Sequence, residues 1–206
     1  MKLNDLLPVE NEKYFNEDFV KEILESGSEE ELEKVSILQN WSVEEAERSR
    51  HFSRLRRATL DNMKIDLKRR LEENPQASAD ELSLGIYWEK IEPQVREAVR
   101  NLRAKGYLSS YSGFSGWGDE QIIKFEEPNL PVEEILKLVP AFAERGVKLQ
   151  ASANEIIFKL EKEISLSEIT ELWTMIAAAV SDLGQPAKDS QLNSAKNFRD
   201  QQNIKK

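Results

Sequence analysis

The chain of 206 residues contains no cysteine. This absence excludes disulfides, thiolate zinc sites and cysteine nucleophiles, and it is typical of proteins in a reducing cytoplasm. Only one histidine is present, His51, and it stands among arginines. The sequence also lacks a phosphate-binding glycine loop and a nucleophile elbow. We therefore expect no enzyme, no cofactor, no metal ion and no small-molecule substrate.

Long apolar runs are also missing. The longest candidate, residues 173–180, is far shorter than the roughly 20 residues that a membrane-spanning helix requires. The first fifteen residues lack the apolar core and small-residue cleavage site of an export signal. The sequence thus predicts no membrane association and a cytoplasmic location.

The charge is unevenly distributed along the chain. The net charge is −9, which argues against a protein that binds nucleic acid over its whole surface. Residues 1–47 carry 14 acidic and 4 basic side chains, whereas residues 48–70 carry 9 basic and 2 acidic ones. Two interpretations of the basic stretch remain open. It contacts phosphate groups, or it pairs with the acidic head of the chain.

Capping motifs and apolar spacing predict several helices. A serine followed three residues later by a glutamate satisfies two free amides at a helix start, and this pattern occurs at Ser28, Ser42, Ser78 and Ser165. Asn16 is a further candidate cap. No glycine or proline interrupts the chain between Ser42 and Pro75, so this stretch forms either one long helix or two.

The middle of the chain resembles a known DNA-binding fold. Residues 58–127 read as helix, helix, turn, helix, glycine-containing loop and strand. The segment NPQASADELSLGIYWEKIEPQVREAVRNLRAKGYL, followed by a loop and QIIKF, resembles a winged helix-turn-helix domain. The resemblance covers about a third of the chain. It implies that the helix at 93–105 is a recognition helix for double-stranded DNA and that the loop at 109–118 is the wing.

Two groups of side chains are then candidates for contacting DNA. On the recognition helix, the polar residues between the apolar ones are expected to point outward, toward base edges or phosphates; they are Gln94, Arg96, Arg100 and Arg103. On the preceding basic helix, arginines at helical spacing are expected to follow the phosphate backbone; they are Arg50, Arg54 and Arg57, with Arg69 and Arg70 beside the winged unit.

Three aromatic residues are candidates for binding a protein partner. Phe114 and Trp117 lie between glycines in the predicted wing, where they either pack under the hairpin or form an exposed partner surface. Trp173 lies on a predicted helix at 165–183, whose broad apolar face we expect to be exposed for dimerisation or partner binding.

The sequence therefore predicts an α+β protein that is mainly α. Its expected parts are a helical extension at 1–57, a winged-helix-like domain at 58–127, an α-β-β-α unit at 128–184 and a disordered tail at 185–206. The first functional hypothesis is a DNA-binding accessory or regulatory protein of transcription. The main alternative is a non-enzymatic adaptor that uses the winged helix to dock a protein partner or a second copy of itself. In a third hypothesis, the acidic head covers the basic helix as an autoinhibitory phosphate mimic.

Overall fold

The computed structural model describes residues 16–73, 91–127 and 129–183. Within these ranges the chain forms helices and one antiparallel sheet, which confirms the predicted α+β, mainly α class. The elements in chain order are α1 (Glu17–Ser26), α2 (Glu29–Gln39), α3 (Val43–Glu73), α4 (Pro93–Ala104), β1 (Ser109–Ser115), β2 (Glu120–Phe125), α5 (Val132–Leu136), α6 (Val139–Glu144), β3 (Val147–Ala151), β4 (Glu155–Leu160) and α7 (Leu166–Ala179).

The helix starts follow the capping signals in the sequence. Asn16 accepts hydrogen bonds from the amides of Asp18 and Phe19 and so caps α1. The serine–glutamate boxes at Ser28 and Ser165 are complete in both directions, and Ser42 and Glu45 are hydrogen-bonded in the same reciprocal way. The predicted box at Ser78 lies outside the described residues. Helix α3 is a single helix of 31 residues, which settles the choice left open by the sequence.

All four strands belong to one sheet, in the order β1-β2-β4-β3. Phe158 of β4 pairs with Gln121 of β2 on one side and with Leu149 of β3 on the other. Helices α4 and α7 pack on one face of this sheet, and a single cluster of buried side chains includes Phe52 of α3 and runs on from Val95 to Val180. The predicted domain boundary at 127/128 is therefore wrong. Both hairpins belong to one sheet, so the two predicted domains share one core.

The predicted wing differs from the expected loop. Residues 109–115 form strand β1, and only residues 116–119 form the turn to β2. The hairpin follows α4, as the winged-helix resemblance implies, but it is half of a four-stranded sheet. The second helix of the predicted winged unit falls within residues 74–90, outside the described residues. The winged-helix resemblance consequently stays a prediction.

Helices α1, α2 and the first half of α3 enclose a second, smaller apolar cluster. Helix α3 connects the two cores, because its Ala46 belongs to the smaller cluster and its Phe52 to the larger one. The Ser53 hydroxyl donates a hydrogen bond of 2.6 Å to the Trp117 carbonyl in the β1–β2 turn. The predicted boundary at 57/58 falls inside this continuous helix and is therefore also wrong. Within the described ranges, no helix has the length and apolar character needed to cross a bilayer.

Candidate binding surfaces

Arg50, predicted to contact phosphate, is instead a buried structural residue with 3% of its surface exposed. Its guanidinium hydrogen-bonds the Glu29 carboxylate and donates to the backbone carbonyls of Gly27 and Ser28 at 3.1 and 3.0 Å. These groups form the junction between α1 and α2. The side chain is buried because its guanidinium reaches into this junction, where the two carbonyls and the carboxylate hold it. The prediction for Arg50 is therefore wrong.

The other arginines in the first half of α3 also serve the fold, with one exception. Arg57 forms ion pairs with Glu25 of α1 at 2.8 Å and with Asp61 of its own helix at 3.1 Å. Arg48 donates a hydrogen bond to the Glu161 carbonyl after β4. Arg54 is exposed and makes no ion pair within the described part of the chain. The structure thus favours the interpretation in which the basic stretch pairs with the acidic head.

The second half of α3 carries no excess of positive charge. Residues 61–73 contain four acidic and four basic side chains. Arg69 is exposed and pairs with Asp66 at 3.0 Å, and Lys64 pairs with Asp61. The side chain of Arg70 lies outside the described residues. The net charge of this half is zero, so it offers little attraction to a phosphate backbone.

On helix α4, the predicted recognition residues occupy different environments. Gln94 is 1% exposed, so its predicted outward position is wrong. The spacing of Gln94, Ala98 and Leu102 by four residues already placed this amide on the buried face, a signal that its polarity concealed. Arg96 folds back and donates two hydrogen bonds to the Ile91 carbonyl.

The last two arginines of α4 lie further along the helix. Arg100 is exposed and paired with Glu97, and Arg103 is half-buried in the last turn. The strip of α4 that reaches solvent therefore contains an arginine and a glutamate side by side. This arrangement reduces the positive potential that a recognition helix presents to DNA.

Gln94 belongs to a chain of buried polar groups that links α4 to the sheet. The Gln94 amide donates to the Glu92 carboxylate at 2.6 Å and to the Gln121 carbonyl oxygen at 3.2 Å. The Trp173 indole also donates to this Gln121 oxygen at 3.4 Å, and the Phe114 amide donates to Glu92 at 2.9 Å. Burial raises the pKa of the Glu92 carboxyl, while these hydrogen bonds and the charge of Arg56 oppose that rise. This series of hydrogen bonds orients α4 and α7 on the sheet.

The aromatic residues predicted to bind a partner are mostly buried. Phe114 and Trp173 have no exposed surface. Phe114 points into the main core because β1 is a strand whose pleat turns it toward the helices. Trp173 packs on Phe158 at 4.6 Å between ring centroids, since the sheet covers the face of α7 that was expected to be exposed. The expectation that Trp173 is exposed for a partner is therefore wrong. Phe114 packs under the hairpin, which is one of the two alternatives left open by the sequence, and Trp117 is half-buried.

Trp117 contacts an aromatic residue that the sequence reasoning did not identify. The Trp117 and Trp41 rings pack edge to face, with 5.5 Å between the ring centroids. Trp41 is held there by the end of α2, where Asn40 adopts a left-handed conformation with φ 55°. The Trp41 amide donates to the Ser36 carbonyl and the Asn40 amide to the Ile37 carbonyl, which is a Schellman motif. The signal in the sequence was an asparagine followed by a large apolar residue at the end of a helix.

The turn between α2 and α3 exposes apolar side chains. Ile37 is 70% exposed and Val43 is 75% exposed, on either side of the three residues that join the two helices. Exposed carboxylates share these helix faces at Glu33 and Glu47, and Glu44 is exposed directly after Val43. Residues 16–47 hold eleven acidic and two basic side chains, a net charge of −9 that equals the charge of the whole chain. This part of the surface is therefore both apolar and strongly negative.

No metal-binding cluster occurs among residues 16–73, 91–127 and 129–183. No group of three or more potential ligand side chains converges there. The His51 ring nitrogen lies 3.8 Å from the Glu163 carboxylate, and the ring packs edge to face on Phe52. These contacts give His51 a structural role. A shallow depression of about 120 Å³ lies beside the β3–β4 hairpin, lined by Gln150, Ala151, Ser152, Glu155 and Ile157. It is smaller than the roughly 300 Å³ typical of a small-molecule site.

Comparison of the chain with protein-family models, with curated proteins and with solved structures gave no significant match.

Proposed function

We propose that this protein is a non-enzymatic adaptor that binds a protein partner. The observation that carries the proposal is that several of the cationic side chains form ion pairs with carboxylates of the same chain. Arg50 and Arg57 bind glutamates of α2 and α1, and Arg100 is paired on its own helix. Side chains already held by carboxylates of the same chain have little attraction left for phosphate.

The surface charge supports the same conclusion. The acidic segment at residues 16–47 repels the phosphate backbone, whereas it attracts cationic segments of proteins. Its exposed apolar residues add the desolvated contacts on which protein interfaces depend. Catalysis has no comparable support, since the buried Glu92 carboxylate is held by the Gln94 amide and the Phe114 backbone amide.

DNA binding is the second candidate, and Arg54 favours it because this arginine is exposed and unpaired within the described residues. Fluorescence anisotropy with random-sequence and selected duplexes at two salt concentrations tests both candidates on the full chain. For an adaptor we expect a dissociation constant weaker than about 10⁻⁴ M at physiological salt, the weak end of non-specific binding. Submicromolar binding that loses salt dependence in Arg54→Glu would refute the adaptor.

A positive test uses a random peptide library displayed on phage and panned against the immobilised full chain. An adaptor should enrich related peptide sequences over several rounds. Enrichment should be absent with the heat-unfolded chain as bait, because the binding surface depends on the fold. Failure to enrich any sequence, together with tight duplex binding, would assign the protein to nucleic-acid recognition.

A further inference from the structure

Ile37 and Val43 are the most exposed large apolar side chains in the described part of the chain. Together with the half-buried Trp41 between them, they form what we term the corner surface. Ile37 lies in the last turn of α2 and Val43 opens α3, so the two exposed apolar side chains flank one three-residue turn. Exposed large apolar residues concentrated in one place indicate a binding site more strongly than scattered ones do. The corner surface is therefore the first place to look for the partner.

The corner surface is held in a defined shape before any partner arrives. The Schellman motif ends α2 at Asn40, and the Ser42–Glu45 capping pair starts α3 two residues later. The edge-to-face contact with Trp117 anchors Trp41 to the β1–β2 turn. A rigid surface loses little conformational entropy on binding, which favours affinity.

The charges beside the corner surface define the chemistry of the partner. Glu33 precedes Ile37 by one helical turn, and Glu47 follows Val43 by one turn, so each carboxylate shares a helix face with an apolar residue. Glu44 lies next to Val43. The carboxylates of Glu33 and Glu44 make no ion pair within the described ranges. They are consequently free to interact with cations of another molecule.

Building on the proposed adaptor function, we infer that the corner surface docks a cationic amphipathic segment of a partner protein. Apolar side chains of that segment cover Ile37 and Val43, and its lysines or arginines face Glu33, Glu44 and Glu47. A second copy of this chain does not fit as the occupant, because two copies of this surface would bring carboxylates against carboxylates. Nucleic acid is disfavoured for the same electrostatic reason.

The probe is a synthetic peptide of leucine and lysine, about four helical turns long, with its leucines on one helical face. A second peptide replaces every lysine by glutamate and keeps the leucine pattern. Each is titrated into the isotope-labelled full chain while backbone amide shifts are followed by NMR. We expect the leucine–lysine peptide to shift amides around residues 36–47 and the leucine–glutamate peptide to leave them unchanged.

Variants locate the contact. The double variant Ile37→Ser, Val43→Ser should weaken binding of the leucine–lysine peptide at least about tenfold, as truncation of central interface residues does. Ile65→Ser is the matched control, since Ile65 is 65% exposed on α3 in a stretch of zero net charge, and it should leave the affinity unchanged. All three positions are exposed, so the variants should keep the fold, and their amide spectra verify this.

The corner surface is refuted as the docking site if the shifts map elsewhere or if the double variant binds as tightly as the unmodified chain. Equal binding of the two peptides would refute the electrostatic part of the inference. Failure of the adaptor function itself is a different result, namely tight salt-dependent duplex binding without enrichment from the peptide library. The two failures are therefore separable.

Discussion

Replacing Arg50 by methionine removes a charged group that joins three segments of the N-terminal helices. The guanidinium donates to the carbonyls of Gly27 and Ser28 and to the Glu29 carboxylate. Hydrogen bonds to charged groups contribute about 1.5–3 kcal/mol each when buried, and unpaired buried carbonyls cost about 1–3 kcal/mol each. Glu29 adds little, because its side chain is 81% exposed and water solvates it after the substitution.

The free energy of unfolding should therefore fall by about 2–4 kcal/mol in Arg50→Met, since methionine retains most of the apolar packing of the arginine stem. This is a large part of the 5–15 kcal/mol that is typical of a whole domain. Urea denaturation followed by circular dichroism measures the change, with the midpoint and the slope fitted separately.

Arg54→Met is the matched control, because Arg54 lies one turn further along α3 and is exposed. Its effect should be within about 0.5 kcal/mol of zero, as for most surface substitutions. If Arg50→Met changed stability by no more than Arg54→Met, the structural role of Arg50 would be wrong. The hypothesis that Arg50 contacts phosphate would then regain its basis.

The remaining predictions concern the contacts between the helices and the sheet. Burial raises the pKa of Glu92 above its ordinary value of 4.5, so its contribution to stability is greatest below that pH and falls as pH rises through the folded-state pKa. The unfolding free energy of Glu92→Gln relative to the unmodified chain should consequently increase between pH 4.5 and about pH 7. A flat difference in urea denaturation would contradict this. Gly118→Ala places a methyl group 2.9 Å from the backbone of Phe52, at a φ of +96°, and should cost about 2 kcal/mol or more. Gly116→Ala, at a φ of +58°, meets no backbone atom among its nearest neighbours, which are the side chains of Glu120 and Asp119 at 3.2–3.4 Å, and should cost about 1 kcal/mol. Equal losses of melting temperature in the two glycine variants would argue against the close approach of α3 to the β1–β2 turn.

Local features of the fold were predictable because their partners are close in sequence. The serine and glutamate of a capping box are three residues apart, and the pairs that begin at Ser28, Ser42 and Ser165 formed where the sequence indicated them. Apolar spacing likewise indicated the face of α4 that carries the buried Val95, Ala98 and Leu102.

The predictions of binding residues were less accurate, because the exposure of a helix face depends on which other segments of the chain pack against it. Spacing placed Arg50, Arg54 and Arg57 on one side of α3, yet Arg50 is buried and Arg54 is exposed. The groups that bury Arg50 lie more than twenty residues earlier in the chain. Periodicity within a helix carries no information about them.

By itself, the sequence determined the α+β class, the helix starts and the separation of an acidic head from a basic stretch, since each follows from residue types or from neighbours within one helical turn. The tertiary structure decided that both hairpins form one sheet, that Trp173 is covered and that Arg48, Arg50 and Arg57 of α3 bind within the chain. The contacts responsible join residues 64 positions apart at Ser53 and Trp117 and 113 positions apart at Arg48 and Glu161. Such contacts form only when the whole chain packs, because burial is a collective property of all the segments that meet at one place.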